Sequence, residues 1–398
     1  MVGVASARHR AVSSALFAYG FRPFFLLAGL YGALAVPLWL GFYTGWIGLE
    51  AALPPTLWHG HEMLFGYGAA VLAGFLLTAT PGWAGTAPVR GPALAGLSAL
   101  WLAGRLGMAL GAQVPGLAAA IDLAFLPALM VAISPALQSA ARRNLVFLPM
   151  LAALTSANLA THLEALGALA GIGSRPLVAA LDLFVVMIGL MGGRIVPVFT
   201  ANALKARGQP ASVRTSALLD RLAIASLVAV LLADLIGAPL LAGTVALLAA
   251  LLNGLRMTGW ATTRILREPL LWVLHLGYVW LVAGLAWKGL MTLLSFAPPS
   301  EGLHGLAVGA IGTMTLAVMT RAALGHTGRS LRAPAPIVAS YALVSAAALI
   351  RVAGPLLPSE LYLPALLVSG LLWTLAFAIF SGIYLPALVH PRVDGKPG

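Results

Sequence analysis

Long apolar stretches follow one another along nearly the whole chain, and this pattern limits the possible folds more than any other feature. Of the 398 residues, 61% are hydrophobic and only 9% are charged. The stretches exceed the roughly 18 residues that indicate a membrane-spanning helix. The sequence therefore predicts an all-α, polytopic membrane helix bundle.

Proline, glycine and charged residues divide the apolar sequence into segments of about 20 residues. We place twelve of them, at 23–43, 58–80, 92–111, 115–137, 145–168, 176–200, 215–235, 238–259, 269–294, 302–324, 335–354 and 362–388. The connections are too short for a soluble domain. We expect one integral membrane domain over residues 1–398, with a 6+6 division near 201–214.

The basic residues favour one side of the predicted bundle. The N-terminus, the even-to-odd connections and the C-terminus hold sixteen, namely Arg8, Arg10, Arg90, Arg142, Arg143, Lys205, Arg207, Arg214, Arg256, Arg264, Arg267, Arg321, Arg329, Arg332, Arg392 and Lys396. The opposite side holds three, Arg105, Arg175 and Arg351. By the positive-inside rule both termini are predicted to be cytoplasmic. The formal net charge of +12 serves orientation here and does not indicate a nucleic-acid partner.

Two further features concern processing and cofactor attachment. The N-terminus lacks a small-residue cleavage site before the first apolar run, so we expect the first segment to remain as a helix. Cysteine is absent, which excludes thiolate ligands and the covalent attachment of c-type haem. Any haem must be bound non-covalently, and any metal by histidine, methionine or oxygen ligands.

Histidines from three predicted helices share one depth. On the outer side lie His59 and His61 at the start of the second helix, His162 near the end of the fifth and His304 at the start of the tenth. At about 1.5 Å per residue, all four fall within roughly 10 Å of the outer surface. Ionisable groups inside a membrane usually face the bundle interior and mark a site. Imidazole suits iron, copper and zinc, so these four residues are candidate metal ligands.

The spacing of the first pair restricts how the rings can bind. On an ideal helix His59 and His61 point about 200° apart, so they serve two partners or lie on an unwound turn. Glu62 shares a face with His59, and it could orient an imidazole or relay protons to a buried site. The alternative role for Glu62 is a simple charge at a helix N-terminus.

Several blocks of sequence together resemble the NnrS family, bacterial membrane proteins that contain haem and copper and are associated with the nitric oxide response and denitrification. They are Phe21-Arg22-Pro23-Phe24-Phe25, the run from Trp58 to Tyr67, Leu76-Leu77-Thr78-Ala79, the run from Gly192 to Thr200, and Gly325-His326-Thr327-Gly328-Arg329. The resemblance covers essentially the whole chain. After the second helix the family tends to have Asn-Trp-Thr-Gly, whereas this chain has Gly82-Trp83-Ala84-Gly85.

The resemblance implies a non-covalent haem b, with copper as an optional second metal, in a protein of the bacterial inner membrane that relieves nitrosative stress. Nitric oxide is small, neutral and soluble in lipid, and a second metal or a carboxylate beside a haem would suit its reductive coupling. We therefore expect an oxidoreductase resembling nitric oxide reductases, with lipid, nitric oxide and quinol or an electron-donor protein as partners. A haem-based nitric oxide sensor or store would have the same ligands without turnover. A secondary transporter is the competing class, because twelve helices with interrupted spans are also typical of transporters.

Other polar residues could serve such a site. Arg194, in a glycine-rich stretch predicted to end the sixth helix, could bind a haem propionate or extend to the cytoplasmic interface. Arg22 offers the same two roles, and His275 and His326 are candidate ligands of a second site toward the cytoplasm. The candidate proton carriers are Glu62, which we expect to be catalytic, with Asp122, Glu164 and Asp182.

Overall fold

The computed structural model describes residues 15–209, 213–295 and 302–396. Within these ranges the protein is all-helical and has no strand. Eleven helices are long and apolar enough to cross a membrane. The prediction of an all-α, multi-pass membrane protein is thereby confirmed at this level.

We number the long helices of the described ranges α1 to α12 in chain order. They are α1 Phe21–Tyr43, α2 Pro55–Ala84, α3 Pro92–Leu110, α4 Pro115–Ser139, α5 Phe147–Ala165, α6 Arg175–Ala206, α7 Ala217–Leu235, α8 Pro239–Thr258, α9 Pro269–Leu294, α10 Gly305–His326, α11 Ala335–Ala353 and α12 Ser359–Val389. Two of them contain a π-helical segment, Glu62–Gly68 in α2 and Gly305–Gly312 in α10.

Helix α7 is the one long helix of the described ranges that does not count among the eleven candidate spans. It carries three charged residues within 19 positions, Asp220, Arg221 and Asp234. The count of twelve spans and the cytoplasmic location of both termini therefore stay predictions. Arg8 and Arg10, on which the orientation partly depends, lie outside the described residues.

Proline and glycine explain many helix boundaries. Helices α2, α3, α4, α8 and α9 each begin with proline, a residue whose fixed φ and missing N–H suit the first helical position. Helix α2 continues through Trp83 to Ala84, beyond the predicted end at residue 80, and Gly85 then ends it in the left-handed conformation with φ of 67°. The predicted loop at residues 82–85 is thus mostly the last turn of α2.

The prediction that the glycine-rich stretch around Arg194 ends the sixth helix is wrong. Helix α6 runs continuously from Arg175 to Ala206 and includes Pro197. Interior proline is tolerated in membrane helices when neighbouring groups compensate. The glycine at 193 serves packing instead, because a Cβ there would lie 2.0 Å from the Arg256 guanidinium carbon.

The chain forms two compact units. Unit 1 comprises residues 1–180, 319–331 and 377–398, so far as they are described. In it α2 packs against α1 and α4, while α4 also packs against α3 and α5. Close packing on α2 depends on glycine, since a Cβ at Gly74 would lie 2.6 Å from the Phe25 ring. Helix α2 is the most buried of the spans that lie wholly in this unit.

Unit 2 comprises residues 181–318 and 332–376. Here α8 packs against α7 and α9, and the π-helical segment of α10 packs against α9 and α11. A Cβ at Gly309 would lie 2.4 Å from the Trp280 ring, so glycine permits this close approach. The expectation of one membrane domain with a 6+6 division near 201–214 stays a prediction.

Candidate metal centre

The candidate centre begins where α2 changes its winding. The helix is regular from Pro55 to His61 and π-helical from Glu62 to Gly68. A π-helical turn inserts an extra residue per turn and is frequent at functional sites. It changes the directions of side chains that follow His61 relative to those of an ideal helix, which sequence spacing alone cannot reveal.

Three buried side chains bring possible metal ligands together in unit 1. His61 of α2, Asp122 of α4 and His162 of α5 each offer one ligand atom, and these atoms lie within 4.8 Å of one another. The Asp122 Oδ2 atom lies 3.2 Å from His61 Nε2 and 3.0 Å from His162 Nε2. The side chains are at most 5% exposed, so bulk water does not compete for them.

Glu62 and Asn158 fix the orientation of these ligands. Glu62 Oε1 lies 2.8 Å from His61 Nδ1. When Nδ1 carries the proton and donates a hydrogen bond to Glu62, the ring is held with Nε2 facing Asp122. Asn158 donates from Nδ2 to Asp122 Oδ2 over 2.7 Å, and its Oδ1 lies 2.9 Å from His61 Nε2. The spacing suggested Glu62 as a partner of His59; the structure shows it bonded to His61, its immediate neighbour.

Arg105 of α3 joins the two carboxylates of the cluster. Its Nη1 donates to Glu62 Oε1 over 2.6 Å, and its Nη2 donates to Asp122 Oδ1. The guanidinium is 4% exposed and lies 5.9 Å from the centre of the Trp101 ring. A buried charge is costly unless it is paired, and here a single arginine compensates two carboxylates.

A second set of contacts holds Glu62 and Arg105 in place. Tyr31 of α1 donates its hydroxyl to Glu62 Oε2, and Trp101 Nε1 donates to the Gly66 carbonyl over 3.0 Å. A Cβ at Gly66 would lie 2.7 Å from the Tyr31 ring and 3.1 Å from Arg105 Nη1. Only glycine at position 66 leaves room for this network.

The donor set suits a divalent first-row metal ion. Two neutral imidazole nitrogens and one carboxylate oxygen match the ligands that iron, copper and zinc take in proteins. With neutral histidines, Glu62, Asp122 and Arg105 together carry one net negative charge. A bound cation would compensate that charge.

Comparison with protein-family models identifies the family of the chain. The family model described as "NnrS protein" matches residues 15–392. This chain belongs to the NnrS family. The resemblance found in its sequence is thereby confirmed over nearly the whole length. A search of curated proteins gives no match.

The other two histidines that were predicted on the outer side have different surroundings. The His59 ring stacks on Trp39 of α1, with ring centres 3.9 Å apart, whereas His61 faces Asp122. The two rings thus have different partners, which is one of the two arrangements that their spacing allows. His304 directly precedes the π-helical segment of α10 and belongs to unit 2. Both His59 and His304 are half-buried.

The histidines predicted toward the cytoplasm have partners within their own units. In unit 2, His275 lies between two hydroxyl groups. Its Nε2 is 2.9 Å from Thr200 Oγ1, and its Nδ1 is 2.9 Å from Thr262 Oγ1. In unit 1, His326 is the last residue of α10, and its ring stacks with Tyr19 at a centre distance of 6.2 Å. The structure leaves their cofactor roles as predictions.

Arg22 and Glu164 satisfy main-chain groups. Arg22 Nη1 donates to three carbonyl oxygens at the end of α12, those of Ala387, Leu388 and His390, over 2.7–3.4 Å. These oxygens lack helical partners, so Arg22 stabilises this end of unit 1. Glu164 accepts from two backbone N–H groups of the following loop. The propionate-binding roles of Arg22 and Arg194 stay predictions.

Sequence reasoning missed part of the centre. Asp122 stood out only as a possible proton carrier, Arg105 only as one of three outer-side arginines, and Asn158 and Tyr31 not at all. Arg105 and Asp122 are each a charge inside an otherwise apolar span, which is the signal that could have paired them. Nothing in the sequence distinguishes Asn158 from other polar residues of α5.

Proposed function

We propose that this NnrS protein binds a transition-metal ion at His61, Asp122 and His162 and acts on nitric oxide in the bacterial inner membrane. The convergence of these three buried ligand atoms is the observation that carries the proposal. Ligands bonded to one metal at about 2.0–2.2 Å lie about 2.8–3.6 Å apart, depending on the angle between them. The separations of 3.0 and 3.2 Å within the cluster agree with that spacing.

The cluster fits a metal ion and does not fit a haem. Both nitrogens of His61 have polar neighbours, and Asn158 and Arg105 donate hydrogen bonds to Asp122. A porphyrin needs an open planar slot beside its axial imidazole. For the haem b implied by the family resemblance, we propose the half-buried His59 of unit 1 as a ligand, and His61 and His162 as ligands of the second metal, copper or iron. The ligand role of His304 stays a prediction.

The residues around the centre suit nitric oxide chemistry. Nitric oxide is small and neutral, so it can reach a site inside the membrane without a polar channel. A redox-active metal would supply the electrons for coupling two NO, two protons and two electrons to N2O and water, with quinol or a donor protein as the electron source. Glu62 accepts hydrogen bonds from Tyr31 and Arg105, and we assign it to orient His61 and to relay protons to the centre.

Metal analysis of purified protein tests the centre. We expect about one bound metal ion per chain in the wild type in addition to any haem iron, and its loss in His162→Ala. His390→Ala, which changes an exposed histidine outside the spans, should retain the full content. Equal metal content in all three proteins would refute the assignment.

Nitric oxide consumption tests the reaction. Protein reconstituted in liposomes with a quinol should consume nitric oxide and form N2O, and His162→Ala should not. Binding of nitric oxide without consumption would replace the enzyme with a sensor or store that uses the same centre. A colourless preparation without metal would favour the transporter class.

A further inference from the structure

Unit 2 contains a second group of charges inside the membrane helices, which the proposed metal chemistry does not use. Lys288 of α9 donates to Asp182 Oδ1 of α6 over 2.9 Å and to Asp234 Oδ2 of α7 over 2.5 Å. The Lys288 and Asp182 side chains are 5% and 1% exposed, and that of Asp234 is 19% exposed. Ionisable groups at such positions are costly and usually functional.

The charges of this group do not balance. Two ionised carboxylates and one ammonium would give a net charge of −1 in a buried place. Among the described residues, the salt bridges of Asp182 and Asp234 are both with Lys288, so no second cation pairs with either carboxylate in that part of the chain. A buried charge without compensation is usually neutralised by taking up a proton.

The geometry of the carboxyl groups supports a bound proton. Asp182 Oδ2 is buried and receives no hydrogen bond from the described residues. Asp182 Oδ1 and Asp234 Oδ2 both contact the same Lys288 Nζ atom, so the two carboxyl groups lie side by side. Ionised carboxylates only accept hydrogen bonds, so a bond between these two groups requires one proton. Two carboxylates that share a site commonly hold one proton between them.

The position of the three charged residues near a surface would allow a proton to reach them. Asp182 lies in the second turn of α6, Lys288 lies near the end of α9, and Asp234 is the residue before the end of α7. All three therefore lie near one end of unit 2, the end predicted to face outward. Asp234 is the most exposed of the three, and it connects the buried Asp182 to that surface.

We propose that Asp182 and Asp234 share one exchangeable proton beside Lys288, which makes this group a reversible proton-binding site of unit 2. The ligand is a proton and not a metal ion, because the Lys288 ammonium already occupies the position between the carboxylates. The site takes up the proton as a neutral carboxyl group and releases it as a carboxylate. The proposal does not rest on the metal centre.

Infrared spectroscopy of the purified protein tests the proposal, because a protonated carboxyl has a C=O band separate from the carboxylate bands. The wild type at neutral pH should show such a band, and transfer to D2O should shift it. Asp182→Asn and Asp234→Asn should each abolish the band, since either change leaves one carboxylate paired with Lys288. Asp220→Asn, at a carboxylate paired with Arg256 in the same unit, should retain it.

The pattern across the variants decides the result. Loss of the band in both asparagine variants supports a shared proton, whereas loss in only one, or in neither, overturns it. Absence of the band from the wild type also overturns it. If Asp182→Asn does not fold, Asp182→Glu replaces it, and the band should then move to a new frequency. An unchanged band in that variant would exclude Asp182.

Discussion

Arg105 provides the sharpest test of the electrostatics of the candidate centre. Arg105→Met removes the shared partner of Glu62 and Asp122 and leaves both carboxylates buried. Two hydrogen bonds to charged groups contribute about 1.5–3 kcal/mol each, and breaking a buried ion pair costs about 3–5 kcal/mol. We expect the free energy of unfolding to fall by about 3–5 kcal/mol.

The same reasoning predicts a rescue. In the triple variant Glu62→Gln, Arg105→Met, Asp122→Asn the buried charges are removed together, and such replacements are often neutral for stability. The triple variant should therefore recover most of the loss while binding no metal.

Chemical unfolding in detergent micelles, followed by tryptophan fluorescence, measures these differences. Arg175→Gln, at an exposed arginine at the start of α6, is the control and should stay within about 0.5 kcal/mol of the wild type. A single variant as stable as the control, or a triple variant no better than the single one, would refute the reasoning.

Three further predictions concern other contacts. Glu62→Gln should weaken metal binding by about 10–100-fold, because a residue that orients a ligating histidine has effects of this size; competition with a chelator measures it, and unchanged affinity would exclude the orienting role. Gly66→Ala should lower metal content, because the added Cβ would clash with the Tyr31 ring and Arg105. Gly82→Ala, where the Cβ meets open space, should not. Metal analysis compares the two variants, and equal losses would count against the packing argument. Arg392 donates to Asp394 and thereby holds the pKa of that carboxyl well below its usual range. The contact therefore exists at neutral pH and is lost only as the pH falls through the lowered pKa. Asp394→Asn should speed hydrogen exchange of the C-terminal peptide at neutral pH, and equal rates would contradict this.

The sequence predicted the helices well because apolar length alone determines them in a membrane. Helix α9 begins and ends where the pattern placed it, at residues 269 and 294. The sequence prediction failed where tertiary contacts outweigh the tendency of glycine and proline to end a helix. Pro197 lies within a continuous α6, and the glycine at 193 makes room for Arg256 from another helix.

The candidate centre was only partly predictable. The sequence predicted that His61 and His162 share a site, because the topology gives the depth of each residue in the membrane and places both at the same depth. It does not give the direction of a side chain around its helix, so the sequence could not separate His61, beside Asp122, from His59, beside Trp39. Lys288 was missed because one charge in a span of 26 residues hardly changes its apolar character.

X-ray absorption spectroscopy of the bound metal tests the central claim most directly, because it identifies the ligand atoms. We predict nitrogen and oxygen neighbours at about 2.0–2.2 Å, with the scattering of two imidazoles from His61 and His162. His162→Ala should lose one of these imidazoles, whereas His59→Ala should leave this metal's neighbours unchanged. A metal without imidazole neighbours, or one that loses an imidazole in His59→Ala but not in His162→Ala, would contradict the account.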